Sequence, residues 1–142
     1  MEVPGVVAGL TALVVDDDAS IRSLLTLVLQ RLMSTPIAAE NGHQAIQLFR
    51  AAPALFDLVI CDWNMPGLSG IDVCRQVRAE RPKLPFLMLT ARRDLESVKT
   101  AQKNGISSYI VKPFTADDLK VKIASAMRKS MIAGELRQAL PR

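Results

Sequence analysis

The sequence predicts an α/β fold in which a parallel sheet is covered by helices on both faces. Three observations predict it. Short apolar runs alternate with helical patterns five times along the chain, as successive βα units would. Several of those runs are apolar at consecutive positions, as strands buried on both faces require. The chain has 142 residues, 49% hydrophobic and 23% charged, which is the length of one domain with enough apolar material for a core.

Leu10 to Val15 reads as the first strand and runs directly into Asp16-Asp17-Asp18. A helix follows, with Ile21, Leu24, Leu25, Val28, Leu29 and Leu32 on one face and Asp18 as its cap. Pro36 to Ala39 is a weaker second strand, and Pro36 places it at a strand start or a sheet edge. Gly42 to Ala51 is helical and Pro53 helps to end it. Asp57 to Cys61 is the third strand and ends in Asp62, before the turn-rich segment 64–70. A helix from Gly70 to Ala79 follows, and Gly70 permits its close approach to the preceding loop. Leu84 to Leu89 is the fourth strand, ending at Thr90. The next helix spans Asp94 to Asn104, with Gly105 as its stop. Tyr109 to Val111 belongs to a fifth strand that ends at Lys112-Pro113. Thr115 or Ala116 opens the last helix, with Leu119, Ile123 and Met127 at four-residue spacing.

Composition excludes several classes. Apolar runs are far shorter than the ~20 residues of a spanning helix, so no membrane insertion is expected. The first ten residues carry no Lys or Arg and do not resemble a signal peptide. Cys61 and Cys74 make neither a disulfide framework nor a metal cluster; both read as buried, and a reducing, cytoplasmic compartment fits. The net charge of +4 is unevenly placed. Residues 1–118 hold 12 basic and 13 acidic residues, whereas residues 119–142 hold six basic residues against Glu135. That basic end suits an acidic protein, a nucleic acid or an anionic surface, or is a solvated helix face.

The polar residues fall at strand ends, where open α/β sheets bind ligands. Asp16 and Asp17 follow the first strand, Asp62 the third, Thr90 the fourth and Lys112 the fifth. Clustered carboxylates repel one another, and a hard divalent cation relieves that repulsion. Without His or paired Cys in the set, Mg²⁺ fits better than zinc or copper, with Mn²⁺ an acceptable replacement. Cation, ammonium and hydroxyl together suit a phosphoryl group, and Asp62 is the best-placed nucleophile to form an acyl phosphate. No glycine-rich phosphate loop is present, so the phosphoryl donor is a phosphorylated partner or a small molecule rather than bound ATP. Taken singly, each of these residues has a structural reading as a turn former, helix cap or surface group. His43, the single histidine, is expected on the surface with no proton-relay role, and Trp63 is expected exposed beside the site.

Four motifs carry a family resemblance: Val14-Val15-Asp16-Asp17 with Ile21-Arg22; Asp62-Trp63-Asn64-Met65-Pro66-Gly67 with Gly70; Leu89-Thr90-Ala91; and Tyr109-Ile110-Val111-Lys112-Pro113-Phe114. Together they resemble the receiver domain of two-component response regulators, most nearly its free-standing, CheY-like members, over about residues 8–130. Residues 131–142 are then a basic extension of the last helix or a frayed tail. The resemblance implies a doubly wound, five-stranded parallel sheet of order 2-1-3-4-5, flavodoxin-like in topology. It implies Asp62 as phosphoacceptor, and Asp16, Asp17, Asp62 and the carbonyl of Asn64 as Mg²⁺ ligands. It further implies Lys112 and Thr90 as catalytic contacts to the phosphoryl group, Thr90 and Tyr109 as the switch pair, and Asn64 and Arg92 as rate-tuning positions.

The implied partners are a sensor histidine kinase or histidine phosphotransfer protein and a downstream protein target. That target would meet the face of helix four, strand five and helix five, where Lys120, Lys122, Arg128 and Lys129 suit an acidic surface. Neither direct DNA binding nor conventional enzyme turnover is expected, although self-catalysed phosphotransfer and autodephosphorylation belong to the family. A monomer is expected, with a phosphorylation-dependent dimer through the face beside Tyr109. Chemotaxis is one pathway that fits; a phosphorelay shuttle, a phosphate sink and a receiver-like binding module are alternatives. An Asp-nucleophile phosphohydrolase fits less well, because the usual general acid two residues past the nucleophile is Asn64 here.

Overall fold

The structure is a computed structural model that describes residues 8–139, with side chains through residue 129. Pro141 and Arg142, the end of the proposed tail, lie outside the described residues. The elements run β1 (Thr11–Val15), α1 (Ala19–Arg31), β2 (Thr35–Ala39), α2 (Gly42–Ala51), β3 (Leu58–Asp62), α3 (Gly70–Glu80), β4 (Phe86–Thr90), α4 (Leu95–Lys103), β5 (Ser108–Val111) and α5 (Ala116–Ala139). A short 3-10 turn, Pro53–Leu55, joins α2 to β3. The five strands form one parallel sheet in the order β2-β1-β3-β4-β5. Boundaries differ from the sequence reading by one or two residues, as strand ends commonly do. β2 lies on the sheet edge, where Pro36 costs no central ladder bond.

Alternation along the strands sorts the core into two layers. Leu13, Val15, Val59, Cys61, Phe86 and Met88 face α2 and α3, joined by Ile46, Phe49, Val73 and Val77. Ala12, Val14, Leu58, Ile60, Leu87 and Leu89 face the other way, against Leu25, Val28 and Leu29 of α1 and Leu119, Ile123 and Met127 of α5. β3 and β4 are buried along their whole length, which explains their unbroken apolar sequences.

Helix starts are set by local side chains. Asp18, Asn41, Ser69 and Asp94 cap α1, α2, α3 and α4, and Ser69 with Asp72 forms a reciprocal capping box. Asp94, not Thr90, therefore caps the helix after β4. α4 buries only Ser97 and Ala101, so it is the least embedded helix. Its far end is secured instead. Gly105 turns the chain at φ +82°, and its carbonyl accepts from the Arg78 guanidinium at 2.6 and 3.0 Å. Arg75 and Cys74 of α3 both bond Asn104.

Candidate functional site

Register builds the site. Val15 pairs with Cys61, so Asp16 leaves β1 level with Asp62 at the end of β3. Asp62 pairs with Leu89, and Thr90 stands one residue beyond it. Thr90 pairs with Val111, which puts Lys112 at the same edge. Four predicted residues from four strand ends thus meet at one crevice, with Asp17 beside them.

Lys112 is the centre of the arrangement. Its Nζ donates to Asp16 Oδ2 and Asp62 Oδ1, each at 3.2 Å. Asp16 is fully buried and Asp62 is 6% exposed. Burial raises the pKa of both carboxyls, and in Asp62 the neighbouring Asp16 charge adds to the rise. In Asp16 the Asp18 backbone N–H, donating at 2.9 Å, and Lys112 work against burial without overcoming it. Burial disfavours the Lys112 charge, but the two carboxylates outweigh it and hold its pKa above the usual lysine value.

The donor set fits a hard divalent cation. Asp16, Asp17 and Asp62 each offer an oxygen, all within 4.8 Å of one another, and no sulfur or imidazole joins them among the described residues. A cation there would offset the charge that burial makes costly. Asp17 is the exposed member and gives the site an open side.

Thr90 is buried to 1% exposure, and its Oγ1 accepts from the Arg92 N–H at 2.9 Å. Arg92 also donates to Asn64 Oδ1 at 3.1 Å and stacks its guanidinium 4.9 Å from the Trp63 ring centroid. The two residues that the sequence groups as rate-tuning positions therefore touch, and they tie the β3–α3 loop to the β4–α4 loop. Tyr109 is half-buried against the α2/α3 side of the core. It lies on the same sheet face as Thr90, because it pairs with Met88, two residues before Thr90.

Trp63 corrects the sequence expectation. It is 7% exposed and belongs to the core, not to an exposed contact surface. Its N–H bonds Leu89 O at 2.9 Å, so the strand hydrogen bonding continues past Asp62. Alternation then turns Trp63 to the Val59/Cys61 side, beneath α3. The signal was available: odd-numbered positions of β3 share a face, and Trp63 extends that series.

Two features escaped sequence reasoning. Arg22 Nη1 bonds the Asp16 carbonyl at 2.8 Å, steadying the acidic turn. His43 is exposed as expected but lines a 560 Å³ cavity with Asp17, Glu40, Asn41, Pro66 and Gly67. The close approach expected at Gly70 is present: an added Cβ would meet the Asp62 carbonyl and come within 2.9 Å of Trp63 Cα, so α3 begins directly against the site.

Comparison with known proteins agrees with this geometry. The family model described as response regulator receiver domain matches residues 12–124. The chain is 43% identical over 114 residues to the chemotaxis protein CheY of Pseudomonas aeruginosa, covering 78% of this chain and 90% of that protein. It is 39% identical over 118 residues to the transcriptional regulatory protein ResD of Bacillus subtilis, covering 83% of this chain but about half (48%) of ResD. A crystal structure of a response regulator receiver domain protein from Clostridium thermocellum superimposes with a TM-score of 0.80 at 29% identity, covering 87% of this chain and 98% of that one.

Proposed function

This chain belongs to the response regulator receiver domain family, and we propose that it is a signalling switch that takes its phosphoryl group on Asp62 from a phosphohistidine. The observation that carries the reading is Lys112 Nζ held 3.2 Å from both Asp16 and Asp62 at the carboxyl edge of the sheet. An Asp62 carboxylate oxygen attacks phosphorus, the P–N bond breaks with its electron pair going to nitrogen, and histidine leaves as neutral imidazole because its other ring nitrogen carries a proton. Lys112 is placed to exchange its bond with the Asp62 carboxylate for one to a phosphoryl oxygen. Thr90 Oγ1 is placed to donate once it turns toward the new group, with Tyr109 as its companion in the switch.

Asp16, Asp17, Asp62 and the Asn64 carbonyl would hold Mg²⁺, which when bound neutralises charge on the incoming phosphoryl oxygens. Reversal is hydrolytic: water attacks phosphorus, inorganic phosphate leaves and the carboxylate is restored. Asn64 and Arg92, which hydrogen-bond each other at 3.1 Å, are the rate-tuning residues in this reading. Asn64 offers no general acid, which weighs against a phosphohydrolase.

The donor partner is a histidine kinase or phosphotransfer protein of a two-component system, as the family supports. The CheY relative supports a chemotaxis role, and the family resemblance supports output through a protein contact on α4, β5 and α5. Buried free Cys61 and Cys74 support a reducing compartment; among the described residues no helix is long and apolar enough to cross a membrane.

Intact mass after incubation with acetyl phosphate and Mg²⁺ tests the reading. A single phosphoryl adduct is expected that requires Mg²⁺ and is absent from Asp62→Ala. An adduct that persists in Asp62→Ala, or none under conditions that label another receiver, refutes it.

A further inference from the structure

The amino edge of the sheet, opposite the crevice of Asp16 and Asp62, carries a 460 Å³ cavity between the α3–β4 connection and α5. Leu84, Pro85 and Met127 supply its apolar lining, and Asp57, Arg81 and Lys83 its charged groups. We propose that this cavity is a docking site for a peptide partner, taking an apolar side chain against Leu84 and Met127 while the adjacent acidic residue pairs with Lys83. Docking there leaves the phosphorylation crevice at the other edge open, and it does not require Asp62 to be phosphorylated.

Positive charge at this edge has two origins. α1 to α4 run antiparallel to the strands and end here, and their last turns carry Arg31, Arg50, Arg78 and Lys103, as the helix dipole favours. Lys83 has no such reason. It lies between α3 and β4, is exposed, and has no ion-pair partner among the described residues. The wall beside it is already built. Pro82 and Pro85 restrict the backbone on either side. The Arg81 carbonyl accepts from the Leu84 N–H at 3.3 Å and from Arg78 Nη1 at 3.2 Å. Arg81 Nη1 donates to the Pro53 and Phe56 carbonyls at 2.7 and 3.1 Å. A wall held in place beforehand lowers the ordering cost of binding.

Asp57 decides the class of partner. Its Oδ2 accepts from the Thr11 N–H at 2.9 Å, which leaves Oδ1 able to accept from a ligand. A peptide brings a backbone N–H next to each acidic side chain, so one residue can donate to Asp57 and pair with Lys83 at once. A nucleic acid presents its phosphates first, and Asp57 repels them. The volume alone would admit a small molecule, whose sites span roughly 300–1,000 Å³. Apolar surface continues past the cavity, however. Leu55 is 49% exposed in the turn that Arg81 holds through the Pro53 carbonyl. A chain that crosses the cavity covers Leu55 as well, whereas a ligand confined to the cavity does not.

The test uses the full chain in fluorescence anisotropy, without phosphodonor. The labelled probes are a peptide of Leu and Asp, peptides of equal length with Ser in place of Leu or Lys in place of Asp, and oligothymidylate. Affinities are compared for wild type, Lys83→Glu and Lys99→Glu; Lys99 is an exposed residue of α4, and the two variants change net charge equally. Unfolding midpoints confirm that both variants fold. The peptide of Leu and Asp is expected to bind wild type, and to bind Lys83→Glu about fivefold more weakly than Lys99→Glu. The peptide with Ser should bind wild type about tenfold more weakly, and the peptide with Lys more weakly still. Amide shifts should concentrate at Asp57, Lys83, Leu84 and Met127. No binding to wild type, equal affinity for the two variants, equal binding of the Ser peptide, or tighter binding of oligothymidylate overturns the proposal. Shifts at Ser108 and Tyr109 in place of those at Lys83 and Leu84 overturn it too. Because Asp62 stays unmodified throughout, a failure of phosphorylation would refute the switch reading and leave this result standing.

Discussion

Replacing Asp62 by Asn should make the protein more stable while abolishing phosphorylation. Asp62 lies within 4.8 Å of Asp16, and at an effective dielectric of about 20 the two charges repel by roughly 3.5 kcal/mol. The Lys112 ammonium at 3.2 Å attracts Asp62 by roughly 5 kcal/mol on the same scale. Burial decides the balance, because the Asp62 side chain is only 9% exposed and loses most of its hydration. The net effect is a raised pKa, so the folded protein bears a penalty for the charged carboxylate. Asparagine keeps an oxygen for Lys112 and removes the charge. We expect a gain of about 1 kcal/mol at pH 7.5 without Mg²⁺, a midpoint rise of about 3–5 °C. The sign of the pH dependence follows. A raised folded-state pKa means the wild-type penalty is present above that value and fades as pH falls toward the ordinary carboxylate value of 3.8. The advantage of the variant should therefore close by about pH 4. Thermal unfolding of both proteins from pH 4 to 8 measures it. A variant less stable than wild type at pH 7.5, or an advantage that does not shrink on acidification, refutes the electrostatic account.

Millimolar MgCl₂ should raise the unfolding midpoint of wild type but not of Asp16→Asn/Asp17→Asn, since preferential binding to the folded state stabilises by mass action; equal shifts in both would place the ion elsewhere. Gly70→Ala should destabilise by about 1–3 kcal/mol in urea unfolding, because its Cβ collides with the Asp62 carbonyl, Trp63 Cα and Met88. Arg92→Ala should change the emission of Trp63, the single tryptophan, and cost about 0.5–1 kcal/mol through the lost stacking; unchanged emission would mean that the guanidinium does not cover the ring in solution.

Much of the fold was legible because βα periodicity is a local property. The five apolar runs and the cap at Asp18 act within a few residues of themselves, and the structure retains them. The site was legible for a related reason. Parallel strands joined by crossovers bring all their carboxyl ends to one edge, so residues 16, 62, 90 and 112 had to share it. Trp63 was misplaced because the ladder runs one residue past Asp62 to Leu89; the two-residue alternation of Val59 and Cys61 carries on to Trp63, but only the pairing between strands fixes that the strand extends that far.

The sequence by itself determined the strand-and-helix order, the acidic and basic groups at the strand ends, and through its motifs the family. Those depend on residue identity and short-range spacing. Only the tertiary structure decided the strand register, and with it the 3.2 Å contacts of Lys112 to Asp16 and Asp62 across 96 and 50 residues. It also decided that Arg92 joins Asn64 to Trp63, and that Lys122 and Lys129 share one cavity with Tyr109. Such contacts are set by how helices seat on a sheet, and that seating minimises the free energy of the whole packed domain rather than of any one segment.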